Sequence, residues 1–285
     1  MAAVLAALGE DTGWDPTSCA SYLGTSAGSI VVAWLAAGVS PRSRVGRMPE
    51  LPPFVEDGER SRRGELGELV KAGRAAGLLR AAPLAALGLR STATGGALAR
   101  RLVLSRVPRG RRSLGGLREQ VDATGVDWDA GLRISAVEVE SGRRVIFGAP
   151  GAPNASVGQA VEASCAIPGY FRPVEIGGRS YVDGGAWSPT NLDAAPVSRG
   201  TRVLCLNPTG SMRPSRSSPA GALGPMSRSI AGVEALALKR RGAEVNTVSP
   251  DRNTLAAIGG NLMDAGRRHA VTAAGVAQGH AVARR

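Results

Sequence analysis

Cysteine, histidine and aromatic residues are all scarce in this chain of 285 residues. Three cysteines, Cys19, Cys165 and Cys205, are odd in number and unclustered. That spacing argues against a disulfide framework and a zinc site, and it fits a reducing, cytoplasmic compartment. Aromatics make up 4% of residues, and none interleaves with the arginine-rich stretch. Stacking on single-stranded nucleic acid needs that interleaving, so no nucleic-acid partner is expected. The longest apolar run, Ile30 to Val39, is too short to span a bilayer. No basic segment precedes the apolar residues at Met1–Leu5, which therefore do not read as a signal peptide.

What is present supports a folded enzyme-sized domain. Hydrophobic residues make up 43% of the chain, enough for a core, and one domain over 1–285 is expected. The formal net charge is +12, and between Arg42 and Glu119 there are 17 Lys+Arg against 7 Asp+Glu, a local net of +10. Almost the whole excess sits in that segment. It suits either an arginine-rich solvated surface or a face for anionic lipid head groups.

Local patterns alternate strands with helices. Met1–Gly9 reads as a helix, Cys19–Leu23 as a buried strand, and Thr25–Ala37 as a buried helix with Gly38 at its end and Pro41 as a stop. Residues 42–122, rich in Arg, Gly and Pro, read as a helical basic cap or lid with no clear strand. Leu132–Glu140 and Arg144–Gly148 form a hairpin signature around Ser141-Gly142, and Val174–Ile176 and Arg179–Val182 another around Gly177-Gly178. Thr201–Leu206 and Glu244–Val248 read as strands, Ile230–Arg241 and most of Leu255–Ala283 as helix, and Pro208–Ser229 as a mobile loop. The alternation argues a layered α/β fold.

Two motifs carry chemistry. Gly24-Thr25-Ser26-Ala27-Gly28 is a G-x-S-x-G match between a short strand and a helix. That context suits a nucleophile elbow, with glycines keeping the turn uncrowded and the positive helix end facing the serine oxygen. In a chain with 39 glycines, an exposed serine in a glycine-rich turn is the competing reading. The second motif is Asp183-Gly184-Gly185, preceded by Ala163-Ser164-Cys165-Ala166-Ile167-Pro168-Gly169-Tyr170-Phe171. A buried carboxylate at a strand end can take a serine proton if burial keeps its pKa from falling too low. Taken alone, Asp183 reads better as an Asp-Gly turn residue.

Together the two motifs closely resemble the patatin-like phospholipase family over roughly the whole chain. The resemblance implies a three-layer α/β/α sandwich with the basic cap inserted, and cleavage of (phospho)lipid esters. It implies a Ser-Asp dyad of Ser26 as nucleophile and Asp183 as base. Gly24, Thr25, Ala27 and Gly28 would form the elbow, and Gly184 and Gly185 would complete the second motif. Neither metal nor organic cofactor is required. The partners implied are a lipid ester and, through the cap, an anionic membrane surface. A Ser26, Asp183, His269 triad would follow the chain order of α/β-hydrolases. Against it, Ser26 lies too near the start for that fold, and His269 and His280 both fall in an expected helix.

One departure from the family sets a further expectation. Its members open with a strand and a glycine-rich loop whose N–H groups form the oxyanion hole, ahead of a helix corresponding here to Met1–Gly9. No such loop stands in this sequence, through a late start site or a truncation, and loss of one oxyanion donor typically costs roughly 10²–10³ in rate. A weakly active, aggregation-prone chain is therefore expected. A lipid-surface binder with a vestigial site is the alternative function.

Overall fold

The computed structural model describes residues 1–45, 55–56, 94–128, 131–212, 223–259 and 264–284. The helices are α1 (Ala2–Thr12), α2 (Ala27–Ala36), α3 (Pro41–Arg44), α4 (Thr94–Leu104), α5 (Gly115–Asp122), α6 (Val157–Cys165), α7 (Leu223–Arg240), α8 (Arg252–Ile258) and α9 (Arg268–Ala283). The strands are β1 (Tyr22–Gly24), β2 (Val55–Glu56), β3 (Arg112–Ser113), β4 (Leu132–Glu138), β5 (Arg144–Phe147), β6 (Val174–Ile176), β7 (Arg179–Asp183), β8 (Arg202–Leu206) and β9 (Glu244–Val248). Helices surround a central mixed sheet, as the α/β/α expectation requires.

β4 organises that sheet. It pairs antiparallel with β5 along one edge, where Ile134 faces Phe147 and Ala136 faces Val145. Ile134 also faces Gly24 of β1, and Ala136 also faces Asp183 of β7. A strand has two edges, so β1 and β7 must share the edge opposite β5. β1 runs parallel to β4 and β7 antiparallel. The two therefore approach from opposite directions, and their C-terminal ends meet beside Ser135. β6 closes the sheet through its hairpin with β7. β8 and β9 form a separate parallel pair.

The core follows from this arrangement. Leu132, Ile134 and Ala136 of β4 are fully buried, with Ala160, Val161 and Ala163 of α6 and Ala33 of α2 around them. Ser156 caps α6 by accepting the Gln159 N–H while Gln159 returns a bond to Ser156, a reciprocal pairing that fixes where the helix starts. α5 packs on α6 and places Leu117 and Val121 in the same core.

Several boundaries differ from the sequence reading. The first strand begins at Tyr22, because Pro16–Ser18 forms a short turn of 3₁₀-helix held by Asp15, which accepts the Thr17 N–H. Pro41 opens α3 rather than closing the helix before it, a first-turn position where its missing N–H costs nothing. α7 starts at Leu223, seven residues before the expected Ile230. The cap segment contains the antiparallel pair β2–β3, which no pattern signalled. Residues 46–54 and 57–93, most of the expected cap, lie outside the described residues, as do 213–222 of the expected mobile loop.

Ile134 sits between both partner edges with no exposure. Ile134→Ala should cost about 2–5 kcal/mol of unfolding free energy. A urea denaturation midpoint unchanged from the wild type would contradict this placement.

Candidate active site

The turn after β1 is built to expose a serine. Ser26 has φ 51° and ψ −129°, a conformation that L-residues avoid. The surroundings hold it there. Its N–H donates to Ser164 Oγ at 2.9 Å, and its carbonyl accepts from the Ser29 hydroxyl at 2.6 Å and the Ser29 N–H at 2.8 Å. The Gly28 N–H is used by the Thr25 carbonyl, so the Ala27 N–H has no backbone acceptor among the described residues. It stands in the first turn of α2, at the positive end of the helix dipole. A Cβ on Gly24 would come within 2.4 Å of Ser29 Cα, so only glycine fits there. Gly28 differs from expectation, because a Cβ there would meet nothing within 4 Å.

β7 delivers Asp183 to the same place. Ser26 Oγ donates to Asp183 Oδ2 at 2.7 Å, and the Gly185 N–H donates to Oδ1 at 2.7 Å. Asp183 is buried, with no cation at ion-pair distance among the described residues. Burial pushes its carboxyl up to about 6, against the smaller downward pull of the bonds from Ser26 and Gly185. A Cβ on Gly184 would lie 2.4 Å from Ser135 Oγ, so this glycine permits the close approach of the two strand ends.

The sequence reading missed the residues that hold the two ends together. Asn191 is fully buried in a left-handed conformation with φ 50°. Its Nδ2 donates to Ser188 O (2.7 Å), Thr25 Oγ1 (3.1 Å) and Gly184 O (3.2 Å), so one amide spans elbow and second motif. Thr25 Oγ1 also lies 2.9 Å from Ser135 Oγ. Buried Glu234 of α7 accepts from the Thr190 hydroxyl and the Leu192 N–H, which anchors the segment around Asn191. No local pattern marks Asn191. Ser164 lies inside the second motif, yet its role depends on α6 packing against the elbow.

The histidines are elsewhere. Both lie on α9, where His280 Nδ1 is 2.9 Å from Asp11 Oδ2 and His269 is exposed. Neither bonds to Ser26 or Asp183. Among the described residues, no group of three or more His, Cys, Asp or Glu side chains is placed to hold a metal ion. Nor is any described helix long and apolar enough to cross a membrane.

Two stability measurements probe this arrangement. Asn191→Ala should lower the unfolding free energy by about 1–3 kcal/mol by orphaning buried acceptors. Asn191→Gly, which removes the backbone cost but not the lost bonds, should recover only part of it; full recovery would refute the hydrogen-bond account. Asp183 titrates near 6 in the folded chain, against about 3.9 unfolded. Its contribution to folding is therefore fully present below about pH 4 and lost as pH rises through about 6. Asp183→Asn should flatten the stability profile across that window, and an unaltered slope would show that Asp183 is not the titrating group.

Both motifs fall inside one homologous region. A sequence model of the patatin-like phospholipase family matches residues 1–196, from α1 through the Asn191 segment. No curated protein matches the chain in a sequence comparison. The matched region spans well over half of the chain, and the chain belongs to the patatin-like phospholipase family of lipid acyl hydrolases.

Proposed function

We propose that the chain hydrolyses carboxylic esters of lipids, with Ser26 as nucleophile and Asp183 as general base. The observation that carries this reading is the 2.7 Å bond from Ser26 Oγ to a buried carboxylate that no cation among the described residues neutralises.

The chemistry follows from the arrangement. Ser26 Oγ attacks the acyl carbon as its proton passes to Asp183 Oδ2, and the carbonyl oxygen takes up the negative charge. The Ala27 N–H at the start of α2 supplies one donor to that oxygen. Asp183, now a neutral acid, protonates the leaving alkoxide as the C–O bond breaks. Water then attacks the acyl-serine and gives its proton to Asp183, which returns it to Ser26 Oγ as the acyl bond breaks and the fatty acid is released. A carboxyl raised towards 6 is a better proton acceptor than an ordinary one and is still ionised at neutral pH.

Ser26→Ala and Asp183→Asn should each lower kcat/KM for a short p-nitrophenyl ester by at least about 10³. His269→Ala and His280→Ala should leave it unchanged. The base acts when deprotonated, so kcat/KM should rise with pH through about 6 and then level off. Substantial turnover by either dyad variant, or loss of turnover with either histidine, would overturn the assignment.

A further inference from the structure

The proposed reaction leaves one recess of the described residues unused. It is an open hollow of about 780 Å³ lined by α4, the β4–β5 turn and the β6–β7 turn. It lies at the opposite end of β7 from Asp183. Arg179 and Asp183 are four residues apart on that strand, which places them about 13 Å from each other. A group bound in the recess is therefore not the ester under attack at Ser26.

The recess is lined by four arginines, Arg101, Arg143, Arg144 and Arg179, and by one carboxylate, Glu138. Arg179 pairs with Glu138 at 2.7 Å, and Arg144 pairs with Asp193 through bonds of 2.6 and 2.8 Å. Arg101 and Arg143 have no carboxylate at ion-pair distance among the described residues. Two guanidinium groups without counter-charge, in one hollow, focus a positive potential into it. Their planar donor forks match phosphate oxygens.

The recess is also held in shape. Arg100, buried on α4, donates to the Gly142 carbonyl of the β4–β5 turn at 2.7 Å and to the Ala186 carbonyl at 3.1 Å. Its guanidinium stacks on Trp187 at 4.2 Å. These contacts fix α4 against the turn and so fix the backbone of Arg101 relative to that of Arg143. The remaining lining is partly apolar, through Leu98, Val145 and Ile176. Leu98 and Leu102, one helical turn apart on α4, are 65% and 54% exposed. A ligand suited to this combination carries an anionic head on a less polar body.

We propose that this recess binds a phosphate ester, with Arg101 and Arg143 clasping the phosphate. The phosphate could belong to a soluble phosphomonoester or to a lipid head group, and the two sources are separable. The full chain is titrated calorimetrically with glycerol 3-phosphate. It is also sedimented with phosphatidylcholine vesicles with and without phosphatidic acid. Both are repeated for Arg101→Gln/Arg143→Gln and for Arg240→Gln/Arg252→Gln, which removes the same charge at exposed positions elsewhere. Saturable binding of glycerol 3-phosphate that weakens at least about tenfold in the recess variant alone supports a soluble ligand. The same selective loss on phosphatidic acid vesicles, without binding of the soluble ester, supports a lipid head group. Equal weakening in both double variants, or no phosphate-dependent binding in either format, overturns the proposal. These readouts need no turnover at Ser26, so they are independent of the acyl hydrolase assignment.

Discussion

Two strand ends meeting on one edge of β4 set the distance on which the candidate site depends. β1 stops opposite Ile134 and β7 stops opposite Ala136, leaving the width of Ser135 between them. The Ser26–Asp183 bond is therefore a consequence of register as well as of side-chain choice. Moving either strand by one residue would shift its last position by about 3.3 Å and turn its side chains to the other face. Ser135 secures the junction from below, with its Oγ 2.9 Å from Thr25 Oγ1 and bonded to the Gly24 carbonyl at 3.3 Å. Asn191 secures it from the side through Thr25 and Gly184. Both are neutral polar groups, so they fix geometry without adding a charge near Asp183.

That neutrality matters for the carboxylate. A nearby guanidinium would hold Asp183 ionised and depress its pKa, weakening it as a proton acceptor. Among the described residues, no arginine lies at ion-pair distance from it. Arg144 reaches the same loop but contacts Asn191 Oδ1 and the Asp193 carboxylate. Arg100 ends on Trp187 and two carbonyls. The cost of burying this carboxylate is moderated by the Gly185 N–H and the Ser26 hydroxyl. The backbone strain at Ser26 is borne by Ser164 and Ser29 in the same way.

The legibility of these features in the sequence follows the range of the forces behind them. The two hairpins were readable because Ser141-Gly142 and Gly177-Gly178 supply positive φ locally, at Gly142, Gly177 and Gly178. Helices α1 and α2 were readable from apolar spacing and end residues. Ser26 and Asp183 could be named as candidates because each sits in a recognisable turn. Their juxtaposition could not be derived from either turn, since it depends on which edge of β4 each strand occupies. The same holds for Asn191, whose left-handed backbone and three acceptors come from distant segments, and for Ser164. β2 and β3 escaped notice because two-residue strands carry no periodicity. Pro41 was misread because a proline marks the end of one helix or the first turn of the next with equal ease.

The absence of a histidine from this junction has a physical consequence for the proposed reaction. When a neutral base takes the serine proton, a cation forms while the oxyanion forms, and two new charges must be stabilised beside buried groups. When Asp183 takes it, one existing negative charge moves from the carboxylate to the acyl oxygen, and no ion pair is created. Burial penalises the charged carboxylate and so favours its protonation, the same effect that raises its pKa. The charge ends near the start of α2, where the Ala27 N–H and the helix dipole favour it. The burial of the carboxylate, which would hinder charge creation, thus assists charge relocation, provided the donor for the oxyanion lies on the far side of the ester from Asp183. On this argument, substitutions that let water reach Asp183 would impair the reaction even with Ser26 and Asp183 in place.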